Sequence, residues 1–173
     1  MTVETVPAPA RAVVDLLNSR AYAIHDDKLD SPAPAAEILG AFGTPSPSAA
    51  QLELVRALRS DLMAVVSADD PADTTRDWAA FSGRVSDVRF QQNFSTAGSV
   101  QLVQVTGDPL VGRISTAVAE LVNAGMWSRI RLCANHECAK VFYDTTRSRT
   151  RRWHSYEICG NRANVAAYRA RSN

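Results

Sequence analysis

Cys133-Ala-Asn-His-Glu-Cys138 is followed, after fifteen residues, by His154 and, after four more, by Cys159. Four side chains of metal-binding chemistry therefore arrive as two short-spaced pairs, with a stretch between them long enough to fold over one ion. Zn²⁺ takes a closed tetrahedral set of Cys and His delivered in this way. The predicted ligands are Cys133, Cys138, His154 and Cys159, with His136, inside the first pair, as the competing fourth ligand. A closed, mixed Cys/His set favours zinc over iron. Four protein ligands leave no open position for substrate or water, so the expected role of the one Zn²⁺ is structural.

Working outward, the segment that holds these ligands is too small to fold on apolar burial alone. Residues 129–173 are some 45 in number, below the length at which a hydrophobic core suffices. A structural zinc supplies about 10–16 kcal/mol of apparent binding free energy in small fingers, which is largely folding free energy. All three cysteines of the chain fall in this segment. Their odd number argues against a disulfide framework and for reduced thiols in a cytoplasmic protein.

The charge divides at the same place. Up to Ser128 there are 9 Lys+Arg against 15 Asp+Glu, net −6, and after it 10 against 3, net +7. The overall +1 hides this opposition. Arg147, Arg149, Arg151 and Arg152 crowd the interval between the ligand pairs, and Arg162, Arg169 and Arg171 follow on a predicted last helix over 160–171. Lys140 is the only lysine of the segment. Guanidinium forks match phosphate oxygens and guanine edges, so these seven arginines are the candidate nucleic-acid contacts, DNA first and RNA second. Two other readings compete: that the arginines pair with the acidic half, or that they meet an acidic protein partner.

Residues 1–128 read as a helical body. Helices are predicted over 11–22, 35–42, 48–67, 74–88 and from Leu110 to about Asn123, on apolar spacings of three and four. The stripe over 48–67 places Glu53, Arg56, Arg59 and Asp61 on its polar face. Asp108-Pro109 is an N-cap with proline at the first helical position. Between 90 and 106 the period changes to that of strands, and a hairpin turning at Thr96-Ala-Gly is expected. The stretches 26–34 and 69–73 are predicted loops. Asn18 and Arg20 are read as a polar helix terminus, and Phe142 and Tyr143 as a mini-core beneath the metal. Trp153 is read as a roof over the metal. The fold class is mainly α, a helical body with an inserted β-hairpin, plus a small zinc-ribbon-like or treble-clef-like finger ending in a helix.

No catalytic set is readable: there is no phosphate loop and no nucleophile–base pair, and His25 sits alone beside Asp26 and Asp27. The expectation is a protein that is not an enzyme. No apolar run approaches the roughly 18 residues of a membrane span, and no targeting signal is readable at the N-terminus.

Cys159-Gly160-Asn161-Arg162, with Arg151-Arg152-Trp153 and Phe142-Tyr143-Asp144 before it, resembles the CGNR zinc-finger family over Arg131 to Arg171. Members of that family carry an N-terminal helical domain called ABATE, which the first 128 residues resemble through Asp15-Leu-Leu-Asn18-Ser-Arg20 and the order of elements. The resemblance implies a bacterial, stress-related transcription regulator. Its first 128 residues would then answer a small-molecule or protein signal, and residues 129–173 would bind DNA. A homodimer is compatible with that role. His154 stands where the family usually has Cys, which keeps a ligand and removes one negative charge from the site. Asn164 stands where a Lys is common.

Overall fold

The computed structural model describes residues 5–68, 74–94 and 98–171, the last stretch without the side chains of 166–168, 170 and 171. The predicted loop at 69–73, the Thr96-Ala97 part of the predicted turn and the side chain of Arg171 lie outside the described residues. About half of the described residues are helical. Among the described residues, helices α1 (Ala8–Leu17), α2 (Pro32–Gly40), α3 (Ala49–Ser67) and α4 (Thr74–Arg84) precede an antiparallel hairpin, β1 (Arg89–Phe94) and β2 (Val100–Thr106). Then come α5 (Pro109–Asn123), a second short hairpin, β3 (Ile130–Leu132) and β4 (Val141–Tyr143), and α6 (Asn161–Arg171). No helix among the described residues is long and apolar enough to cross a membrane.

Local chemistry sets the helix ends. Ser48 accepts from the Gln51 N–H at 3.2 Å while Gln51 accepts from the Ser48 N–H at 3.0 Å, a reciprocal cap that starts α3. Asp108 accepts from the N–H groups of Leu110 and Val111, and Pro109 opens α5 as expected. Ala10, Val13, Leu16 and Leu17 form the buried stripe of α1, which packs against α5 and α3. Val55, Leu58 and Leu62 of α3 and Leu110, Ile114, Val118 and Leu121 of α5 complete the centre.

Four sequence expectations are corrected here. Helix α1 ends at Leu17, short of Tyr22, because the side chain of Asn18 is drawn to a distant strand. The stretch 26–34 is not all loop: Lys28–Asp30 forms a 3₁₀ turn and α2 starts at Pro32. Arg59 is buried rather than on a polar face, since its guanidinium binds Ser19 Oγ at 2.7 Å and both carboxylate oxygens of Asp27. Tyr143 does not belong to a separate mini-core. Strand alternation turns Val141 and Tyr143 into the same core as the helices, with Ile130 of β3. Phe142 faces the opposite way, with the Arg151 guanidinium 5.3 Å from its ring centre.

Candidate metal centre and its cationic surround

Cys133 directly follows β3, and its N–H donates to Lys140 O at 2.8 Å. The intervening turn closes on Asn135: its carbonyl accepts from Cys138 N–H at 2.9 Å and Ala139 N–H at 3.2 Å, and its side-chain oxygen accepts from Glu137 N–H. Cys138 is thereby folded back beside Cys133. The second pair is brought over by Ala134, whose N–H donates to Arg152 O at 2.9 Å. Ser155 then accepts from Ile158 N–H with its hydroxyl and from Cys159 N–H with its carbonyl, opening the turn that feeds α6.

The result is a cluster in which the ligand atoms of Cys133, Cys138, His154 and Cys159 all lie within 4.8 Å of one another. With Zn–S near 2.3 Å and Zn–N near 2.0 Å, a tetrahedron has S···N edges of about 3.5 Å. His154 Nδ1 lies 3.4 Å from Cys138 Sγ and 3.6 Å from Cys159 Sγ. The imidazole therefore presents Nδ1 to the sulfurs at tetrahedral spacing. His136 is outside the cluster and instead lines a cleft of about 840 Å³ with Trp78, Trp127 and Arg152.

The donor set is matched to a cation. Burial pushes the Cys138 thiol up to about 11, and the neighbouring sulfurs of Cys159 and Cys133 add to this against a hydrogen bond from the Lys140 backbone. Three sulfurs this close resist ionising together unless a positive charge sits among them. Burial, then Lys140 and Arg151, hold the His154 imidazole below its ordinary range, in the neutral form a metal needs.

The motif after the ligands divides its labour. Residues 129–172 match the CGNR zinc finger. Among curated proteins, none matches the chain. In this CGNR finger, Cys159 joins the cluster, and a Cβ on Gly160 would come within 2.7 Å of the Tyr156 ring. Gly160 is thus required by a close aromatic neighbour. Asn161 Nδ2 donates to Glu157 O at 3.0 Å, and Arg162 is exposed. The finger and its four Cys/His side chains fit one structural zinc ion.

Asp144, fully buried, anchors the arginine-rich loop of the CGNR finger. Its carboxylate accepts from the Thr146 N–H at 2.8 Å, the Thr146 hydroxyl at 2.6 Å and the Arg151 N–H at 2.9 Å, with Arg131 at 3.7 Å. Burial alone would raise its pKa, but these hydrogen bonds and the Arg131 charge hold it below the ordinary value. Arg129 closes the same loop, donating to the carbonyls of Asp144 and Thr146.

The predicted contact arginines do not share one environment. Arg151 turns inward, donating Nε–H to Trp153 O at 2.8 Å and an Nη–H to His154 O. Arg147, Arg149, Arg152, Arg162 and Arg169 are exposed. Among the described residues none of these five pairs with a carboxylate. The ion pairs of the body, Arg56 with Asp30 and Glu53, Arg59 with Asp27 and Arg84 with Asp61, are satisfied within it. Trp153 is half-buried, with the Arg152 guanidinium 5.3 Å from its ring centre and Tyr156 edge-on at 5.9 Å.

Sequence reasoning missed the clasp between body and finger. Asn18 Nδ2 donates to Val141 O at 2.8 Å and Asn18 Oδ1 accepts from Val141 N–H at 2.8 Å, so one side-chain amide acts as a strand partner for β4. Arg20 bridges Leu17 O and Ala139 O, gripping the turn that carries Cys138. Apart from a polar pair at a helix end, nothing local in the sequence points 119 to 123 residues ahead.

Proposed function

We propose that this protein is a cytoplasmic, nucleic-acid-binding regulator, not an enzyme, whose finger grips duplex DNA through its phosphates. Residues 1–128 would be the part that answers a small-molecule or protein signal, and residues 129–173 the part that binds. The observation that carries the reading is the set of exposed guanidiniums without carboxylate partners among the described residues, Arg147, Arg149, Arg152, Arg162 and Arg169, on a frame that the four Cys/His side chains would cross-link through the metal. Because the frame is ordered before binding, little side-chain and loop entropy remains to be lost on contact. In this reading the finger is treble-clef-like, which is supported by one ligand pair at a hairpin turn and Cys159 just before a helix.

A second reading, single-stranded RNA, is favoured by Tyr156. Its ring is exposed on one side and backed by Gly160 and the Trp153 edge, the arrangement of a base-stacking platform.

The test is fluorescence anisotropy with a labelled random duplex and a labelled single-stranded RNA across a salt series. Duplex binding should weaken with a log–log slope of roughly −0.9 per phosphate contacted. Arg147→Gln combined with Arg149→Gln and Arg152→Gln should keep its zinc and make that slope shallower by about 0.9 for each lost contact. Absence of binding to either polymer at low salt refutes the reading, and preference for RNA selects the second.

A further inference from the structure

The cleft of about 840 Å³ that His136 lines lies where the helical body meets the finger. The two halves bring different chemistry to it. From the body come Val65 and Val66 in the last turn of α3 and the indoles of Trp78 in α4 and Trp127 in the turn before β3. From the finger come Arg131, Cys133, Ala134, His136 and Arg152. Neither half holds the site alone.

Two of the chain's three tryptophans wall this one cleft. Their ring centres are 5.0 Å apart and their planes are tilted by 59°, so the indoles make a corner rather than a stack. Phe81, buried in the core, braces Trp78 edge-on at 6.0 Å. Both indoles are only partly buried, so each keeps surface to offer a third ring. Aromatic rings settle against one another offset or edge-on, with centres roughly 4.5–7 Å apart.

The charges of the lining have one sign. Among its described residues the charged side chains are Arg131 and Arg152, and there is no carboxylate. Asp144, 3.7 Å from Arg131, already offsets that guanidinium, which also donates to Arg149 O. Arg152 is exposed and has no carboxylate partner among the described residues. Its carbonyl accepts from Ala134 N–H at 2.9 Å, which fixes its backbone beside the metal turn. Its guanidinium lies 5.3 Å from the Trp153 ring centre, and a guanidinium stacked by its face keeps the N–H donors of its edge for an anion.

We infer that this cleft is a nucleotide site, taking a free mononucleotide whose base lies in the corner of Trp78 and Trp127 and whose phosphate is held by Arg152. The indoles suit a flat heterocycle, the exposed hydroxyls of Ser67 and Ser128 on the same lining suit its polar atoms, and the guanidinium fork suits two phosphate oxygens. An aliphatic anion leaves the indole corner unused, and an uncharged aromatic leaves Arg152 unused. The volume falls within the roughly 300–1,000 Å³ of small-molecule sites. The inference rests on the reading of residues 1–128 as the part that answers a small molecule, and it gives that signal a chemical class. A bound nucleotide would bridge body and finger and withdraw Arg152 from the duplex.

The test begins without any polymer. AMP and GMP are titrated into the zinc-loaded full chain by calorimetry, with tryptophan emission followed in parallel. Saturable binding with a change in emission is expected. Adenosine and ribose 5-phosphate should each bind at least about tenfold more weakly than AMP, since one lacks the charge and the other the ring. Arg152→Gln should weaken AMP about tenfold and keep its zinc. Trp127→Leu should weaken it similarly and keep the helical circular dichroism. No binding of either nucleotide at millimolar concentration, or ribose 5-phosphate binding as tightly as AMP, overturns the inference. With duplex added, saturating AMP should make the salt slope of duplex binding shallower by about 0.9. An unchanged slope with AMP bound upholds the site and overturns the signal reading alone.

Discussion

Asp144 and Arg151 show how little of a side chain's role is visible in its letter. A carboxylate in an arginine-rich loop reads as a minor charge offset, yet this one is buried and organises the turn that presents Arg147 and Arg149. Its folded pKa is depressed, so its stabilisation is complete above the ordinary carboxylate value and is lost as pH falls through the lower folded value. Asp144→Asn should therefore lower stability by about 1.5–3 kcal/mol at neutral pH, the range of hydrogen bonds to a charged group. In urea melts the gap from wild type should stay constant from about pH 5 to 8 and narrow only below about pH 4. A gap that changes across neutrality would mean that another group is responsible. Arg151 and Arg152 are neighbours in a loop without period, so nothing in their sequence separates the inward from the outward guanidinium. The four-ligand cluster was legible because its information is local, two pairs at short spacing.

At the scale of elements, periodicity and caps made α3 and α5 legible: each begins at a side-chain cap and carries an unbroken apolar stripe. The misreadings sit where a tertiary partner overrides a local preference. Arg59 lies at a polar position of α3 but is drawn inward by Asp27 and Ser19. Asn18 leaves α1 to pair with Val141, which no window of a few residues can register. That pairing is also the element-scale test. Asn18→Ala orphans a buried N–H and C=O of β4, each costing about 1–3 kcal/mol. We expect a drop of that order in the urea-melt stability of the zinc-loaded chain and faster zinc transfer to a chromogenic chelator, with the helical signal retained. Unchanged transfer would show that the clasp does not support the metal turn.

For the whole molecule, two sources of order meet at the finger: the metal on one side, and on the other a shared core of Ile130, Val141 and Tyr143 with the helices. Removing zinc should therefore release the Arg-rich loop and α6 while β3–β4 stays docked on α1 and α3. Hydrogen exchange after chelation should show protection lost over 144–165 and kept at Ile130, Val141 and the core helices. His154→Ala should reproduce the chelated pattern and lose zinc by elemental analysis, whereas His136→Ala should retain one zinc per chain. Uniform loss of protection throughout the chain would mean instead that body and finger melt as one unit. The opposed charges of the two halves were plain in the composition. That, among the described residues, Arg56, Arg59 and Arg84 of the body have carboxylate partners while Arg147, Arg149, Arg152, Arg162 and Arg169 of the finger have none was not, because charge counts carry no addresses.

The Asn18 clasp bears on anyone who would treat this finger as a portable cassette. Cut away from its helices, the segment would turn Ile130, Val141 and Tyr143 toward water and leave one β4 amide and carbonyl seeking new partners. Grafted elsewhere, it would need a substitute carboxamide at the same spot and a greasy bed beneath, or it would arrive sticky and half-folded even with its ion in place.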